Sequence, residues 1–376
     1  MTRISLAVFV FGGALTLSPL AHAAARPASQ AAPAIGARAA ILIDARTGTI
    51  LYEKNAFLQL DPASLTKMMT ALLVIEHGHL NQVVTVSKRS DNTPGSSLHI
   101  VQNQQYTRLD LLKGMLLRSG NDASVALAES DAGSVEQFVA EMNVRAQQLG
   151  AFNTAFENTH GLTKPGHYSS AYDMALIART ALKIPLFQEI VRSPEATVTE
   201  LRHGHRRSIN STNSLLYGFP GADGVKTGTT DAAGKCLVGS ATRDRRQLIV
   251  VVLNSPDRYG DASRLLNWGF GAWHEVRAVD KGQELARRPV EGGVTESVGL
   301  ASHRSVWLEV PKTGSYETVL ALPARVKAPV TRQTRVGFAT VLEEGQPPVR
   351  IGLYATSDVA RKSSAHRFWE WLFRRR

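Results

Sequence analysis

A chain of 376 residues, 43% of them hydrophobic, is long enough to bury one sizeable core and a second, smaller one. Its single cysteine, Cys236, excludes an internal disulfide, so packing has to supply the stability. The formal charge of +11 is concentrated at the C-terminus, where Arg361, Lys362, Arg367, Arg374, Arg375 and Arg376 face only Glu370; no zinc-finger spacing accompanies it, and nucleic acid is not an expected partner.

The chain opens with Arg3, an apolar run over residues 4–17, Pro19 and the triplet Ala21-His22-Ala23, the order of a secretory signal over residues 1–23. The run is too short to span a bilayer with margin, and residues 24–36, rich in Ala, Pro and Gln, read as a linker. Residues 40–44 and 49–52 are strand-like around Arg46-Thr47-Gly48 and predict a hairpin. From Asp61 the spacing turns helical, with Leu65, Met68, Met69, Leu72 and Leu73 on one face. Asp61 is the expected cap, Pro62 the first helical position and Gly78 the stop, which puts Ser64 in the first turn at the positive end of the helix.

A second helix is expected over residues 109–117, ended by Ser119-Gly120-Asn121, and others from Asp122, over 135–149 and over 171–182. After Gly221-Ala222-Asp223-Gly224 come strand-like runs at 225–227, 236–241 and 248–253, then a helix over 262–268. Strands at both ends with helices between them predict an α+β domain over 37–274. Over 275–358, short apolar runs at 306–308, 319–322, 336–342 and 351–355, parted by Gly, Pro and charged turns, predict a β-rich domain. In 359–376, Ala365, Phe368, Trp369, Leu372 and Phe373 fall at helical spacing between arginines, the pattern of an amphipathic helix lying on an anionic membrane surface; docking on the protein itself is the alternative.

Three short motifs carry the chemistry: Ser64-Leu65-Thr66-Lys67, Ser119-Gly120-Asn121 and Lys226-Thr227-Gly228. Helical positions three apart share a face, so the Lys67 amine can reach the Ser64 hydroxyl. A serine needs a base to attack a carbonyl, and lysine serves only when its amine is neutral. Burial and the like charge of Lys226 in one cleft would secure that. Ser119 is placed to pass a proton to a leaving amine, and Asn121 to bond both Lys67 and a substrate amide. Lys226 on a strand, followed by Thr227 and Gly228, suits an extended peptide along a sheet edge. The N–H groups of Ser64 and Thr229 are the expected oxyanion donors. Each triplet alone recurs by chance; the helix start, interhelical loop and strand in which they lie make the catalytic reading.

The runs Ile43-Asp44-Ala45-Arg46-Thr47-Gly48, Pro62-Ala63-Ser64-Leu65-Thr66-Lys67-Met68-Met69-Thr70, Ser119-Gly120-Asn121-Asp122-Ala123, His160-Gly161-Leu162 and Asp223-Gly224-Val225-Lys226-Thr227-Gly228 resemble those of the low-molecular-mass penicillin-binding D-alanyl-D-alanine carboxypeptidases, over about residues 38–270. The resemblance implies a penicillin-binding/β-lactamase-like transpeptidase domain, an antiparallel sheet flanked by helices with a helical subdomain, followed by a small all-β domain. It also implies release of the terminal D-Ala from peptidoglycan pentapeptide stems through a Ser64 acyl-enzyme, acylation by β-lactams, and residence at the periplasmic face of the inner membrane. Arg258, ahead of Leu265-Leu266-Asn267-Trp268-Gly269-Phe270, resembles an arginine proposed in that family to meet the substrate's terminal carboxylate, a surface ion pair being the alternative. Val290-Glu291-Gly292-Gly293 and Ala328-Pro329-Val330 resemble the family's β-domain, whereas Thr331-Arg332-Gln333-Thr334 stands where Lys-Gly is expected.

No cofactor or metal is called for: His203-x-His205 and His77-x-His79 have no third ligand at a telling distance, and His160 and His167 are expected to shape a loop. Without a Glu-x-x-x-Asn between Ser119 and Lys226, fast β-lactam hydrolysis is not expected. An endopeptidase of cross-links shares all three motifs, and a non-catalytic wall-binding scaffold would need neither Ser64 nor Lys67.

Overall fold

The computed structural model describes residues 6–9 and 31–363. The aromatic stripe at 365–373 and most of the leader and linker lie outside the described residues; within the leader, Leu6–Phe9 is a strand running parallel to Tyr316–Ala321. Contacts divide the chain into two compact units, Ala32–Gly271 and the remainder from Ala272, the latter including the N-terminal strand.

The first unit is built on a five-stranded antiparallel sheet in the order Ile50–Lys54, Ala39–Asp44, Arg246–Leu253, Gly234–Arg243, Ala222–Thr230. Ala39–Asp44 is buried at every position, which is why its sequence is a continuous apolar run and not an alternation. The Asp44 carboxylate accepts the Thr47 N–H at 2.7 Å and closes the expected hairpin turn. The helices Arg108–Leu117, Val135–Gln148 and Ala171–Ala181 are capped by Thr107, Ser134 and Ser170, each accepting the N–H three residues on. Leu65, Met68, Met69, Leu72 and Leu73 are all buried in the core that these helices share with one face of the sheet.

Three expectations need correction here. Asp61 does not cap a helix: Ala63 adopts φ +49°, Ala63–Thr66 is a 3-10 turn, and the α-helix Lys67–His77 begins without a side-chain cap. The helix expected over 262–268 runs from Arg258 to Ala272. Between 183 and 221, where no element was expected, lie the helix Pro185–Arg192 and the hairpin of Glu195–Glu200 with His205–Asn210. Most residues of His205–Asn210 are exposed, so the strand carries no apolar alternation to read.

Among the described residues, the second unit is all-β from Trp273 onward. Its larger sheet runs in the order Leu6–Phe9, Tyr316–Ala321, Arg335–Glu343, Val349–Ala355, Ser297–Ala301, Glu284–Glu291, Val326–Lys327, and Trp273–Val279 pairs with Val306–Pro311. In Arg335–Glu343 and Val349–Ala355 buried residues alternate with more exposed ones, so one face, including Leu353, joins Leu300, Leu308 and Leu320 in the core. Among the described residues no helix is long and apolar enough to cross a membrane.

Candidate active site

The 3-10 turn presents Ser64 at the edge of the Lys226 strand, and two glycines let neighbouring segments close on it. A Cβ at Gly228 would lie 3.0 Å from both the Ser64 nitrogen and Ala63 Cβ, so only glycine lets the strand press this closely against the turn. At Gly161, φ is +90° and a Cβ would fall 1.8 Å from the Ala63 carbonyl oxygen.

Lys67 is fully buried; its Nζ donates to Ser64 Oγ at 3.0 Å, Asn121 Oδ1 at 2.6 Å and the His160 carbonyl at 2.8 Å. Three acceptors match the three protons of an ammonium, and loss of one proton leaves a lone pair for the serine hydroxyl. Burial above all, then the charge of Lys226, pushes the Lys67 amine well below its usual range, with Asp122 pulling the other way. Asn121 Nδ2 donates to the Pro94 carbonyl at 2.6 Å, which fixes the amide with its oxygen toward Lys67.

Lys226 is also buried, and its Nζ donates to Ser119 Oγ at 3.0 Å and to the Thr227 carbonyl at 2.9 Å. Burial, then the charge of Arg258, brings this amine down to about 7. Ser119 itself sits at φ +62°, a left-handed conformation that costs a non-glycine residue about 1–2 kcal/mol. Thr227 Oγ1 lies 3.0 Å from Thr212 Oγ1, and Thr229 Oγ1 donates to the Gly228 carbonyl at 2.8 Å. The structure thus brings Ser64, Lys67 and Asn121 onto one amine, Ser119 and Lys226 onto the next, and Thr227, Gly228 and Thr229 along the adjoining strand.

Arg258 is turned into the same strand. Its Nη1 donates to the Gly228 carbonyl and Thr229 Oγ1, both at 2.8 Å, and to the Cys236 carbonyl at 3.3 Å, while it pairs with no carboxylate among the described residues. Cys236 is buried, and burial raises its thiol to about 11, as befits a small core hydrophobe. His203 rests on Glu200 at 3.0 Å and stacks on His205.

The roles of several supporting residues escape a reading of motifs, although the sequence singles out His160-Gly161-Leu162 as a run. His160 contributes its backbone carbonyl, which no side-chain pattern encodes. His167 Nδ1 accepts the Glu157 N–H at 3.0 Å, so the proton is on Nε2, 2.9 Å from Thr66 Oγ1; that hydroxyl donates in turn to the Ala63 carbonyl at 2.9 Å. Burial brings His160 to about 3 and His167 to about 4, so both rings are neutral at pH 7 and, as expected, shape the loop. The buried Asp122 accepts from the Ser97 hydroxyl at 2.6 Å and the Leu98 N–H at 2.9 Å, tying the segment at 97–98 to the residue next to Asn121. A cleft of about 880 Å³ opens beside Pro94, Asn158, His160, Leu162 and Lys164.

A family model described as D-alanyl-D-alanine carboxypeptidase matches residues 26–257. The chain is 33% identical over 358 residues to D-alanyl-D-alanine carboxypeptidase DacF of Bacillus subtilis, covering 92% of each. To D-alanyl-D-alanine carboxypeptidase DacA of Escherichia coli it is 37% identical over 295 residues, 74% of this chain and 72% of that one. Its fold is similar to the crystal structure of penicillin binding protein 5 from Haemophilus influenzae, with a TM-score of 0.77 at 31% identity over 88% of this chain and 99% of that one.

Proposed function

Since this chain belongs to the D-alanyl-D-alanine carboxypeptidase family, it is a serine-type carboxypeptidase of peptidoglycan stem peptides that binds penicillins, and we propose that Ser64, Lys67 and Ser119 perform its chemistry. The observation that carries the reading is the 3.0 Å contact between the Ser64 hydroxyl and an amine so buried that it is held well below its ordinary range.

Neutral Lys67 takes the Ser64 proton as Oγ attacks the carbonyl carbon of the penultimate D-Ala. The oxyanion forms against the N–H groups of Ser64 and Thr229. When the tetrahedral carbon collapses, the C–N bond breaks and the leaving amine takes a proton from Ser119, whose oxygen is stabilised by Lys226. D-Ala departs, the acyl group stays on Ser64, and the proton that Lys67 took from Ser64 passes to Ser119, which leaves Lys67 neutral and Ser119 a hydroxyl again. Water then attacks the ester, giving a proton to Lys67, and Ser64 leaves with a proton returned. Asn121 holds Lys67 and retains one N–H for the acyl amide, Thr227, Gly228 and Thr229 offer the strand edge to the extended peptide, and Arg258 braces that edge. β-Lactams acylate the same serine.

Incubation with a stem pentapeptide followed by mass spectrometry tests this directly. The chain removes one alanine and Ser64→Ala removes none; equal removal by both would sink the assignment. We also propose that residues 37–274 are the catalytic domain and 275–358 a separate β-domain, that residues 1–23 direct export, and that residues 359–376 hold the enzyme at the periplasmic face of the inner membrane, a reading supported by the arginine-flanked aromatic spacing.

A further inference from the structure

In the second unit, the strands Arg335–Glu343 and Val349–Ala355 turn one face to the core, and the opposite face carries a cluster of aromatic rings and arginines. Phe338 lies opposite Gly352 in the register, and a Cβ at Gly352 would fall 2.9 Å from the Tyr354 ring, so glycine makes room for that ring beside Phe338. His303 stacks on Tyr354 with ring centres 4.0 Å apart and planes 11° apart. The guanidinium carbons of Arg335 and Arg350 lie 4.8 and 3.8 Å from the centre of the Phe338 ring. Arg304 reaches the same place: its Nη2 donates to the Arg350 carbonyl at 3.2 Å.

The charge of this cluster is unbalanced. Arg304, Arg335 and Arg350 are exposed, and among the described residues none of the three guanidiniums meets a carboxylate. Elsewhere in the same unit, Arg287 is paired with Glu284 at 3.0 Å and Arg277 with Asp280 at 2.7 Å. Two guanidiniums held within 5 Å of one ring centre repel each other, and a bound anion removes that cost. Stacking on a ring uses none of the guanidinium N–H donors, which stay available to the oxygens of an anion.

The source of that anion follows from where the chain leads. The ladder that pairs Arg335 with Tyr354 continues to the bridge of Val330 with Val359; Arg361 then pairs with Gly293, and the described chain ends at 363. The arginine-flanked aromatic stripe at 365–373 is therefore joined to the domain at the end of the sheet where Arg335 and Tyr354 lie. Tyrosine beside unpaired cations is also a composition suited to the headgroup level of an anionic bilayer.

We propose that this face is a second contact with an anionic membrane surface, in which Arg304, Arg335 and Arg350 hold lipid phosphates and Tyr354 lies at the headgroup level. The inference rests on the reading of residues 359–376 as an anchor and extends it. One weak membrane signal gives marginal, reversible binding, whereas two together hold a protein in place. The sheet face is the second signal, too weak to retain the protein once the tail is gone.

The test is sedimentation of the full chain with vesicles of equimolar phosphatidylcholine and phosphatidylglycerol. Each cation at such a surface is worth roughly fivefold, so Arg304→Gln/Arg335→Gln/Arg350→Gln is expected to lower the partition coefficient by about tenfold or more. The control Arg192→Gln/Arg206→Gln/Arg245→Gln removes three exposed charges from the first unit and is expected to bind within about twofold of wild type. Arg304→Lys/Arg335→Lys/Arg350→Lys keeps the charges and most of the binding; if the Gln and Lys variants fail alike, the arginines act through the fold and the proposal falls. Binding by the Gln variant equal to wild type, an equal fall in the control, or equal wild-type binding to vesicles of phosphatidylcholine alone also overturns it. If the Gln variant loses binding to isolated peptidoglycan and keeps binding to vesicles, the face belongs to the wall and the lipid assignment is wrong. Deletion of 362–376 without effect on vesicle binding sinks the anchor reading, whereas the Gln variant in the full chain decides the face.

Discussion

Lys67 and Lys226 are buried in one cleft, and each amine is lowered first by desolvation and then by a neighbouring cation: Lys226 acts on Lys67, and Arg258 on Lys226. The cations therefore form a relay in which the outermost arginine tunes the inner base at one remove. Lys226→Gln removes the like charge facing Lys67 while keeping a polar group near Ser119. The Lys67 amine then rises, and the acid limb of the pH profile of acylation by a labelled penicillin moves to higher pH; a limb that stays in place or moves lower would refute the coupling. The same substitution has a sign for stability. Between about 7, where buried Lys226 titrates, and its ordinary 10.5, the unfolded chain carries a proton on this amine that the folded chain lacks, so this group makes stability rise with pH across that window. Chemical denaturation at several pH values is expected to show a flatter rise in Lys226→Gln.

At the scale of elements, the site is an encounter of the 3-10 turn Ala63–Thr66, the strand Ala222–Thr230 and the loop around Gly161. The turn is not the tip of a capped helix, so the placement of Ser64 depends on what packs against it more than on helix propensity. Thr66 and His167 tie its far side, and Gly161 covers the Ala63 carbonyl. Gly161→Ala forces a methyl into that carbonyl at a positive φ, and the loop or the turn has to shift. We expect a loss of about 1–3 kcal/mol of stability together with a marked fall in acylation rate. Urea unfolding and penicillin labelling measure the two effects; wild-type labelling would show that the close approach does not position Ser64. Gly228→Ala, with its nearest contacts at 3.0 Å, is expected to be milder in stability.

For the whole molecule, the proposed anchor gives a simple expectation: deletion of residues 362–376 moves the protein from the membrane pellet to the soluble fraction without loss of penicillin labelling, and continued sedimentation with membranes would refute it. The chemistry was legible in the sequence because each motif is short, and helix or strand geometry fixes what lies three residues apart. Ser64 with Lys67, the loop at Ser119 and the strand at Lys226 could be read this way. The sheet strands were legible as apolar runs for the same local reason. The 3-10 turn was not, because Ala63 has no residue-level mark of its φ of +49°, and the exposed hairpin at 195–210 lacked a buried face to give it a period. The partners that complete the site were hidden more deeply. The His160 carbonyl belongs to a group every residue carries, Gly161 matters only through the atom it approaches, and His167 reaches Thr66 across a separation that spacing does not encode. Local sequence determined which groups could react; only the tertiary packing decided how close they come, how dry they are, and therefore which of the buried amines can be neutral at the moment a serine needs a base.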